Sequence, residues 1–295
     1  MILVTGAAGL SGSAIVKEFS LKRVSVRALV RDRAKAGAIA RLPCVEIVEG
    51  DMARPETLGR ALDGVDRAMM ISSSTPTMAI TQTAFIDACK AAGVTSIVKV
   101  SGKESGVGFQ AANFPFTHMH EEIEDYLENS GLSWTHLRPA QFMQVYLRAA
   151  PTIADKGLLL LPHENVALSP VDILDVAKIA FGVLTRDRHD NLSLDITGPQ
   201  ALKMDEIAEI IGRAIDQPVR YRSIGPEEHR RAMVAAGLPP FMVDALHKQA
   251  AERRKCPESH IDLEAHEAFG VVPTTFEQFA NRHADIFRGN NPVGP

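Results

Sequence analysis

Three glycines stand at every third position near the start of the chain, in the stretch VTGAAGLSG. A glycine lacks a Cβ, so its backbone can turn sharply and come close to a ligand. The stretch follows a short apolar run typical of a strand and precedes a helical pattern, and the free N–H groups at the start of such a helix attract an anion. We therefore expect the pyrophosphate of a dinucleotide to bind at Gly6, Gly9, Leu10, Ser11 and Gly12. The GxxGxxG spacing has one more residue in its first gap than the common fingerprint. The alternative is a tight strand-to-helix turn in some other α/β protein.

A positively charged residue, Arg31, stands at the end of the second predicted strand, where the ribose of a bound dinucleotide is expected. An acid at this place would bind the 2′-hydroxyl of NADH. An arginine instead presents a planar fork of donors that suits the 2′-phosphate of NADPH. Arg33 could help, whereas Asp32 would favour NADH if its side chain turned towards the ribose. The sequence predicts NADPH as the cofactor, with NADH less favoured, and the alternative is a solvated surface arginine.

Two further strand ends carry candidate cofactor contacts. Asp51 and Met52 follow the third predicted strand, and the Asp51 carboxylate could accept a hydrogen bond from the adenine amino group. A turn or helix-capping aspartate is an equally good interpretation of Asp51. Ser72 and Ser73 end the fourth predicted strand, where small hydroxyl residues leave room for ribose and nicotinamide.

Strands alternate with helical patterns through the first half of the chain. This alternation predicts a Rossmann-type α/β fold, a doubly wound parallel sheet covered by helices on both faces. From Pro226 onward the pattern is mostly helical. We therefore expect a dinucleotide-binding domain over residues 1–150 and a smaller, mostly helical substrate lobe over residues 151–295. The lobe is expected to be partly interleaved with the sheet through a helix at Val171–Leu184 and a strand at Leu192–Thr197.

The composition limits the kinds of molecule that the protein is expected to bind. The formal net charge is −4, which argues against nucleic acid because a phosphate backbone selects basic protein faces. No apolar run is long enough to span a bilayer, and the N-terminus shows no secretion signal. The three cysteines are odd in number and far apart, which indicates reduced thiols and no zinc site. We expect a cytoplasmic protein that acts on a small molecule and has no membrane or nucleic-acid partner.

Several stretches together resemble a known family. They are VTGAAGLSG, VRALVRD, EGDM, LRPAQFM, VDILDVAKIA and LDITGPQALKMDEIAEIIG. In this order they are similar to the NmrA-like branch of the atypical short-chain dehydrogenases/reductases, and the VDILDVAKIA and LDITGPQAL pair points to its NAD(P)H-binding, azoreductase-like subgroup. The resemblance implies a Rossmann domain, a small C-terminal substrate lobe and usually NADPH. Related reductases commonly form homodimers, so the resemblance also makes a homodimer possible.

The chain departs from the wider family at the usual catalytic pair. Most short-chain reductases use Tyr-x-x-x-Lys, and no tyrosine of this chain has a lysine four residues later. The resemblance places Ser101 where the family's serine would be, with Lys103 just beyond as a cofactor contact. It also places His118, with Glu122 one helical turn on, where the family's lysine would be. A histidine is a suitable proton donor near neutral pH, although His118 could equally be structural.

Two other features of this segment bear on the site. His120 is expected to face away from the site, since it lies two residues beyond His118 on the same helix. A metal site built from these histidines is disfavoured because the H-x-x-x-H spacing is absent.

After the sixth strand, Pro139 could pack near the nicotinamide. The residues expected to form the substrate wall are Gln141, Phe142 and Met143, with core packing as the alternative.

These observations favour an enzyme that transfers hydride from NADPH to a small organic acceptor. Without a tyrosine acid, the site suits acceptors that need little help from a proton donor, such as quinones and azo compounds. Imines and activated carbonyls are further candidates, with His118 or water as the proton source. The rival hypothesis is a dinucleotide sensor that regulates a partner without catalysis. An epimerase or lyase with tightly bound NAD is disfavoured by Arg31.

Overall fold

The computed structural model describes residues 1–102, 114–186, 191–255 and 259–290. Within these residues, seven parallel strands form one sheet in the order β3-β2-β1-β4-β5-β6-β9. Two small sheets pair β7 with β11 and β8 with β10. The strands are β1 (Ile2–Val4), β2 (Val26–Val30), β3 (Val45–Glu49), β4 (Arg67–Met70), β5 (Ser96–Val100), β6 (Ser133–Pro139), β7 (Leu158–Leu161), β8 (Ala167–Leu168), β9 (Leu192–Ile196), β10 (Leu202–Lys203) and β11 (Arg220–Ser223).

Helices follow most of the sheet strands and then dominate the C-terminal part. They are α1 (Leu10–Leu21), α2 (Gly59–Leu62), α3 (Met78–Ala91), α4 (Pro115–Glu128), α5 (Ala150–Lys156), α6 (Ile173–Thr185), α7 (Met204–Ile215), α8 (Pro226–Ala235), α9 (Pro240–Lys255), α10 (Glu264–Phe269), α11 (Phe276–Arg282) and α12 (Ala284–Phe287). In the described part of the chain, no helix is both long and apolar enough to cross a membrane.

The central sheet buries a hydrophobic core on each face. Helices α1 and α6 pack together on one face, where Phe19 and Phe181 meet edge to face with ring centroids 4.9 Å apart. Helices α3 and α4 cover the other face, and Phe85 and Leu127 are fully buried there. Strands buried on both faces are typical of parallel sheets. The predicted Rossmann-type fold is confirmed.

A second core lies in the C-terminal part and is built mainly by α7 and α11, with Ile207, Ile211 and Phe279 fully enclosed. Helix α6 and strand β9, in contrast, pack into the main sheet. Two elements beyond residue 150 therefore belong to the layers of the main sheet. The division into domains at residue 150 stays a prediction.

Candidate dinucleotide and catalytic site

A cavity of about 670 Å³ opens at the carboxyl edge of the sheet, beside the ends of β1, β2, β3 and β4. Ligands of open α/β sheets bind at this edge, in the crevice where the strand order reverses. Nearly all the residues predicted to contact the cofactor line this one cavity: Gly6, Gly9, Leu10, Ser11, Gly12, Arg31, Asp51, Met52, Ser72 and Ser73. Lys103, also predicted to contact the cofactor, lies outside the described residues.

The three glycines of the loop have different physical roles. Gly6 has φ +57°, a left-handed conformation that favours glycine. A Cβ on Gly12 would lie 2.2 Å from the Gly6 carbonyl oxygen, so the close packing of α1 on the loop excludes any side chain there. Gly9 has an ordinary extended backbone (φ −82°, ψ 177°), and a Cβ there would meet only the Gly6 carbonyl oxygen, at 3.3 Å. The bare surface of Gly9 therefore belongs to the cavity.

Gly9 is also the N-cap of α1 and brings no side-chain hydrogen bond to the helix terminus. The first N–H groups of a helix have no partner inside the helix, and the first turn of α1 carries no acidic residue. These N–H groups and the positive end of the helix dipole therefore point at the cavity without local competition from a carboxylate. This donor set fits the pyrophosphate of a dinucleotide.

Arg31 and Asp32, between which the sequence could not decide, both line the cavity at the end of β2 but differ in their partners. Arg31 lines the cavity, and its guanidinium makes no hydrogen bond or salt bridge to any described residue. Asp32 caps the following 3-10 helix by accepting a hydrogen bond from the Ala34 N–H at 2.9 Å. The Arg33 guanidinium donates to the Ile47 carbonyl at 2.7 Å. Lys35, which is absent from the sequence-based expectations, also lines the cavity and adds a second cation there.

The other predicted cofactor contacts have structural partners as well. Asp51 accepts a hydrogen bond from the Ala53 N–H at 3.0 Å, as in an Asx turn. The Ser72 hydroxyl accepts from the buried Gln82 side chain at 2.8 Å, which fixes the end of β4 on α3. Asp51 and Ser72 thus combine a local structural role with a place on the cavity wall.

The residues after β6 lie apart from the lining of this cavity. Pro139 is buried at the strand end. Gln141 accepts a hydrogen bond from the buried Arg253 of α9, and Phe142 packs against the core of the sheet. Met143 is 1 % exposed and belongs to the second core. Their roles as nicotinamide contact and substrate wall stay predictions, and for Met143 the structure favours the core-packing alternative.

The two histidines of α4 face opposite ways. The helix begins at Pro115, a residue suited to the first turn. The His118 side chain is 61 % exposed and lies 3.3 Å from Glu122. His120 is buried, and its Nδ1 lies 2.7 Å from Nζ of Lys99 on β5. The two side chains do face different ways, as expected, but His120 is the one that packs against the sheet. The catalytic role of His118 stays a prediction.

Lys99 and His120 belong to a buried polar network between α4 and the sheet. Arg138 of β6 holds both carboxylate oxygens of Glu124, at 3.2 and 2.6 Å. Ser101, predicted to be catalytic, is also buried and hydrogen-bonds the Glu124 carboxylate. Although burial works in the opposite direction, the hydrogen bonds from Arg138 and Ser101 hold the pKa of Glu124 below its usual value. The network thus places charged side chains in a layer that is otherwise apolar.

Burial shifts the two basic members of the network towards their neutral forms. It lowers the pKa of Lys99 to about 7, although the Glu124 charge opposes the shift. Burial, reinforced by the Lys99 charge, holds the pKa of His120 well below its usual value. Lys99 is also absent from the sequence-based expectations, although a lysine inside the apolar run SIVKVS was a signal that could have revealed it.

A model of the NmrA-like family matches residues 1–280. The chain belongs to the NmrA-like family. Among its relatives, the NAD(P)H azoreductase of Xenophilus azovorans is 33% identical over 289 residues, which cover 97% of this chain and 99% of that protein.

Two solved structures of this family share the fold. The structure of an NADPH-dependent quinone oxidoreductase from Escherichia coli, complexed with NADPH, is 26% identical and covers 96% of this chain and 99% of that chain, with a TM-score of 0.83. The structure of NmrA, a negative transcriptional regulator in complex with NADP, is 15% identical and covers 99% of this chain and 98% of that chain, with a TM-score of 0.79. At that lower identity the likeness speaks for the fold alone.

Proposed function

We propose that this NmrA-like protein is an NADPH-dependent reductase that transfers hydride to a small organic acceptor of the quinone, azo, imine or activated carbonyl class. The relatives of highest similarity described above are an azoreductase and a quinone oxidoreductase, both named for the use of NAD(P)H or NADPH. Their resemblance extends over almost the whole of both chains. It therefore includes the C-terminal part, where a substrate lobe is expected.

The observation that carries this proposal is the cavity at the start of α1. Gly9 leaves a bare backbone surface, the α1 terminus supplies N–H donors, and Arg31 and Lys35 add positive charge at the ribose end. Pyrophosphate and 2′-phosphate are the two anionic groups of NADPH, and each has a matching donor set in this cavity. The Asp32 carboxylate, which would favour NADH, is engaged with the Ala34 N–H.

NADPH would supply the hydride chemistry, and the chain's own residues would bind and orient it. The loop and α1 would hold the pyrophosphate, and Arg31 would hold the 2′-phosphate. Ser72 and Ser73 lie on the cavity wall at the end of β4, the strand that pairs with β5. The nicotinamide would thereby reach the sheet edge near Ser101.

The test is NADPH oxidation, followed at 340 nm, with a panel of quinones, azo dyes, imines and activated carbonyls. We expect turnover with at least one acceptor class and faster turnover with NADPH than with NADH. Tight NADPH binding without oxidation in any assay would overturn the reductase proposal and support the dinucleotide-sensor alternative.

Cofactor choice yields a prediction for Arg31→Ala. A charge-assisted hydrogen bond contributes about 1.5–3 kcal/mol, less where solvent reaches it. Loss of one or two such bonds should weaken NADPH binding by about 10- to 10³-fold, taking 1.4 kcal/mol per decade. The affinity for NADH should stay nearly constant. Fluorescence titration with both cofactors measures the change in their ratio.

Arg33→Ala is the matched control, because its guanidinium donates to the Ile47 carbonyl. This variant should keep the NADPH preference of the parent protein. An unchanged cofactor ratio in Arg31→Ala would assign Arg31 to the solvated surface.

We further propose that the protein is cytoplasmic, has no nucleic-acid partner and forms a homodimer. The net charge of −4 supports the second point, because a nucleic-acid surface requires a basic face. Light scattering during size-exclusion chromatography tests the homodimer. A monomer mass of 32.0 kDa at micromolar concentration would contradict it.

A further inference from the structure

The buried pair Lys99 and His120 lies at the edge of the sheet where the proposed reaction would occur. Strand β5 neighbours β4 in the sheet, so Ser101 and Gly102 end beside Ser72 and Ser73 of the cavity wall. The ring of His120 packs on Gly102 so closely that a Cβ there would lie 2.5 Å from its Nε2. The far side of the His120 ring meets Lys99. The pair therefore runs from the interior of the sheet towards the strand end.

While Lys99 is protonated, its contact with His120 fixes the tautomer of the ring. An ammonium group is a donor only, so at 2.7 Å Lys99 Nζ donates to Nδ1 of the ring. Nδ1 then carries no proton of its own, and the neutral ring bears its proton on Nε2. Nε2 makes no hydrogen bond to any described residue. His120 thus presents an N–H donor beside Gly102.

The surroundings of Lys99 leave its proton loosely held. Arg138 occupies both oxygens of Glu124, and the hydrogen-bond partner of Lys99 among the described residues is the neutral ring of His120. Glu124 attracts the Lys99 charge and Arg138 repels it. Glu128 and Asp195 act on Arg138, and His136 acts on Glu124. The Lys99 ammonium is fully buried and has no carboxylate of its own.

We propose that Lys99 and His120 form a proton-donating pair that replaces the missing tyrosine acid, with His120 Nε2 facing the acceptor and Lys99 supplying the proton behind it. This inference rests on the proposed function. After hydride addition, the acceptor oxygen or nitrogen holds an electron pair that needs one proton. The Nε2–H bond breaks as the new O–H or N–H bond forms, and the Lys99 proton moves to Nδ1. Water then returns one proton to Nε2, and the proton on Nδ1 moves back to the neutral lysine amine.

Neither residue could protonate the acceptor without the other. Burial and the Lys99 charge keep His120 neutral, and a neutral imidazole is a weak acid unless Nδ1 receives a proton at the same time. Lys99 cannot reach the acceptor directly because His120 lies between it and Gly102. With its pKa lowered to about 7, Lys99 is poised to give and regain a proton near neutral pH.

The first test uses the full-length protein without cofactor, so it does not depend on catalysis. Nitrogen-15 NMR of labelled histidine should show His120 as the Nε2–H tautomer, with a change in its ring resonances near pH 7 as Lys99 loses its proton. In Lys99→Met, which keeps the volume of the buried side chain, this change should disappear. The ring resonances of the exposed His118, which lies outside the pair, should be the same in both proteins. A His120 ring in the Nδ1–H tautomer, or one unaffected by Lys99→Met, would overturn the proposal.

The second test compares acceptors in the holoenzyme. Lys99→Met and His120→Gln should each lower kcat with an imine or carbonyl by about 10²- to 10⁴-fold, the usual contribution of general acid catalysis. Reduction of a quinone, which needs less proton help, should fall less than 10-fold, and NADPH affinity should be kept. In the parent enzyme, kcat with the imine should decrease as pH rises through about 7.

The outcomes separate this inference from the proposed function. Turnover of quinones and imines that is unchanged in both variants would overturn the proton-donating pair and leave the reductase intact. If none of the acceptors supports NADPH oxidation by the parent protein, the reductase proposal is overturned. The NMR experiment then still shows whether Lys99 and His120 form the pair.

Discussion

Gly9→Val should abolish tight NADPH binding and leave the protein folded. The new side chain would project into the cavity, because a Cβ at this position meets only the Gly6 carbonyl oxygen, at 3.3 Å. It would hold the pyrophosphate away from the α1 terminus. Loss of two charge-assisted hydrogen bonds, at about 1.5–3 kcal/mol each, corresponds to about 10²- to 10⁴-fold weaker binding. Cofactor fluorescence measures the affinity, and circular dichroism checks the fold.

Comparison with a second variant, Gly12→Val, makes this result interpretable. The backbone of Gly9 is extended, so valine can adopt it without a left-handed conformation. Gly12→Val is different, because its Cβ would lie 2.2 Å from the Gly6 carbonyl oxygen and 2.8 Å from the Ala7 Cα. We expect that variant to misfold or unfold at low urea. A folded Gly9→Val protein with undiminished NADPH affinity would mean that the loop is a turn without a ligand.

The cofactor side of the site could be predicted from the sequence because its determinants are local. A strand, a glycine-rich turn and a helix start follow one another at the beginning of the chain, and their geometry forces the N–H groups towards the loop. Arg31 follows from the same logic, because the end of β2 lies beside the end of β1 in any sheet of this order. The conflict between Arg31 and Asp32 is local too, because the Asp32 carboxylate caps the helical turn that follows it directly. The sequence still left it open, because an aspartate at this place can either cap the turn or face the ribose.

The catalytic side could not be predicted in the same way, because its members come from three elements. Lys99, His120 and Arg138 meet only when α4 lies across β5 and β6. Which histidine faces the sheet depends on the rotation of α4. Burial of Ile123 and Leu127 sets that rotation, and His120 shares their stripe at helical spacing. The apolar stripe was a better guide to orientation than the match to the family's lysine.

The motif VDILDVAKIA has a structural role that could not be predicted from the sequence alone. Its first aspartate, Asp172, is fully buried and is the N-cap of α6, accepting a hydrogen bond from the Leu174 N–H at 3.1 Å. The Gln144 side chain donates to it at 2.8 Å, and Arg282 of α11 forms a salt bridge with it. One carboxylate thus joins α6 on the main sheet to two segments of the second core.

Asp172→Ala should lower the free energy of unfolding by about 2–4 kcal/mol. Loss of the cap costs about 1 kcal/mol, and loss of hydrogen bonds to a charged group costs about 1.5–3 kcal/mol. The total stays below the cost of breaking a fully buried ion pair, because Arg282 is 37% exposed and water can solvate it. Urea unfolding at pH 7 measures the change, with the dependence of the unfolding free energy on urea concentration compared between the two proteins.

The control is Asp285→Ala, which breaks an exposed pair with Arg288 and should cost less than about 1 kcal/mol. A double-mutant cycle with Arg282→Ala isolates the ion pair, and a loss below about 1 kcal/mol in Asp172→Ala would show that α6 and α11 are held together by apolar packing alone.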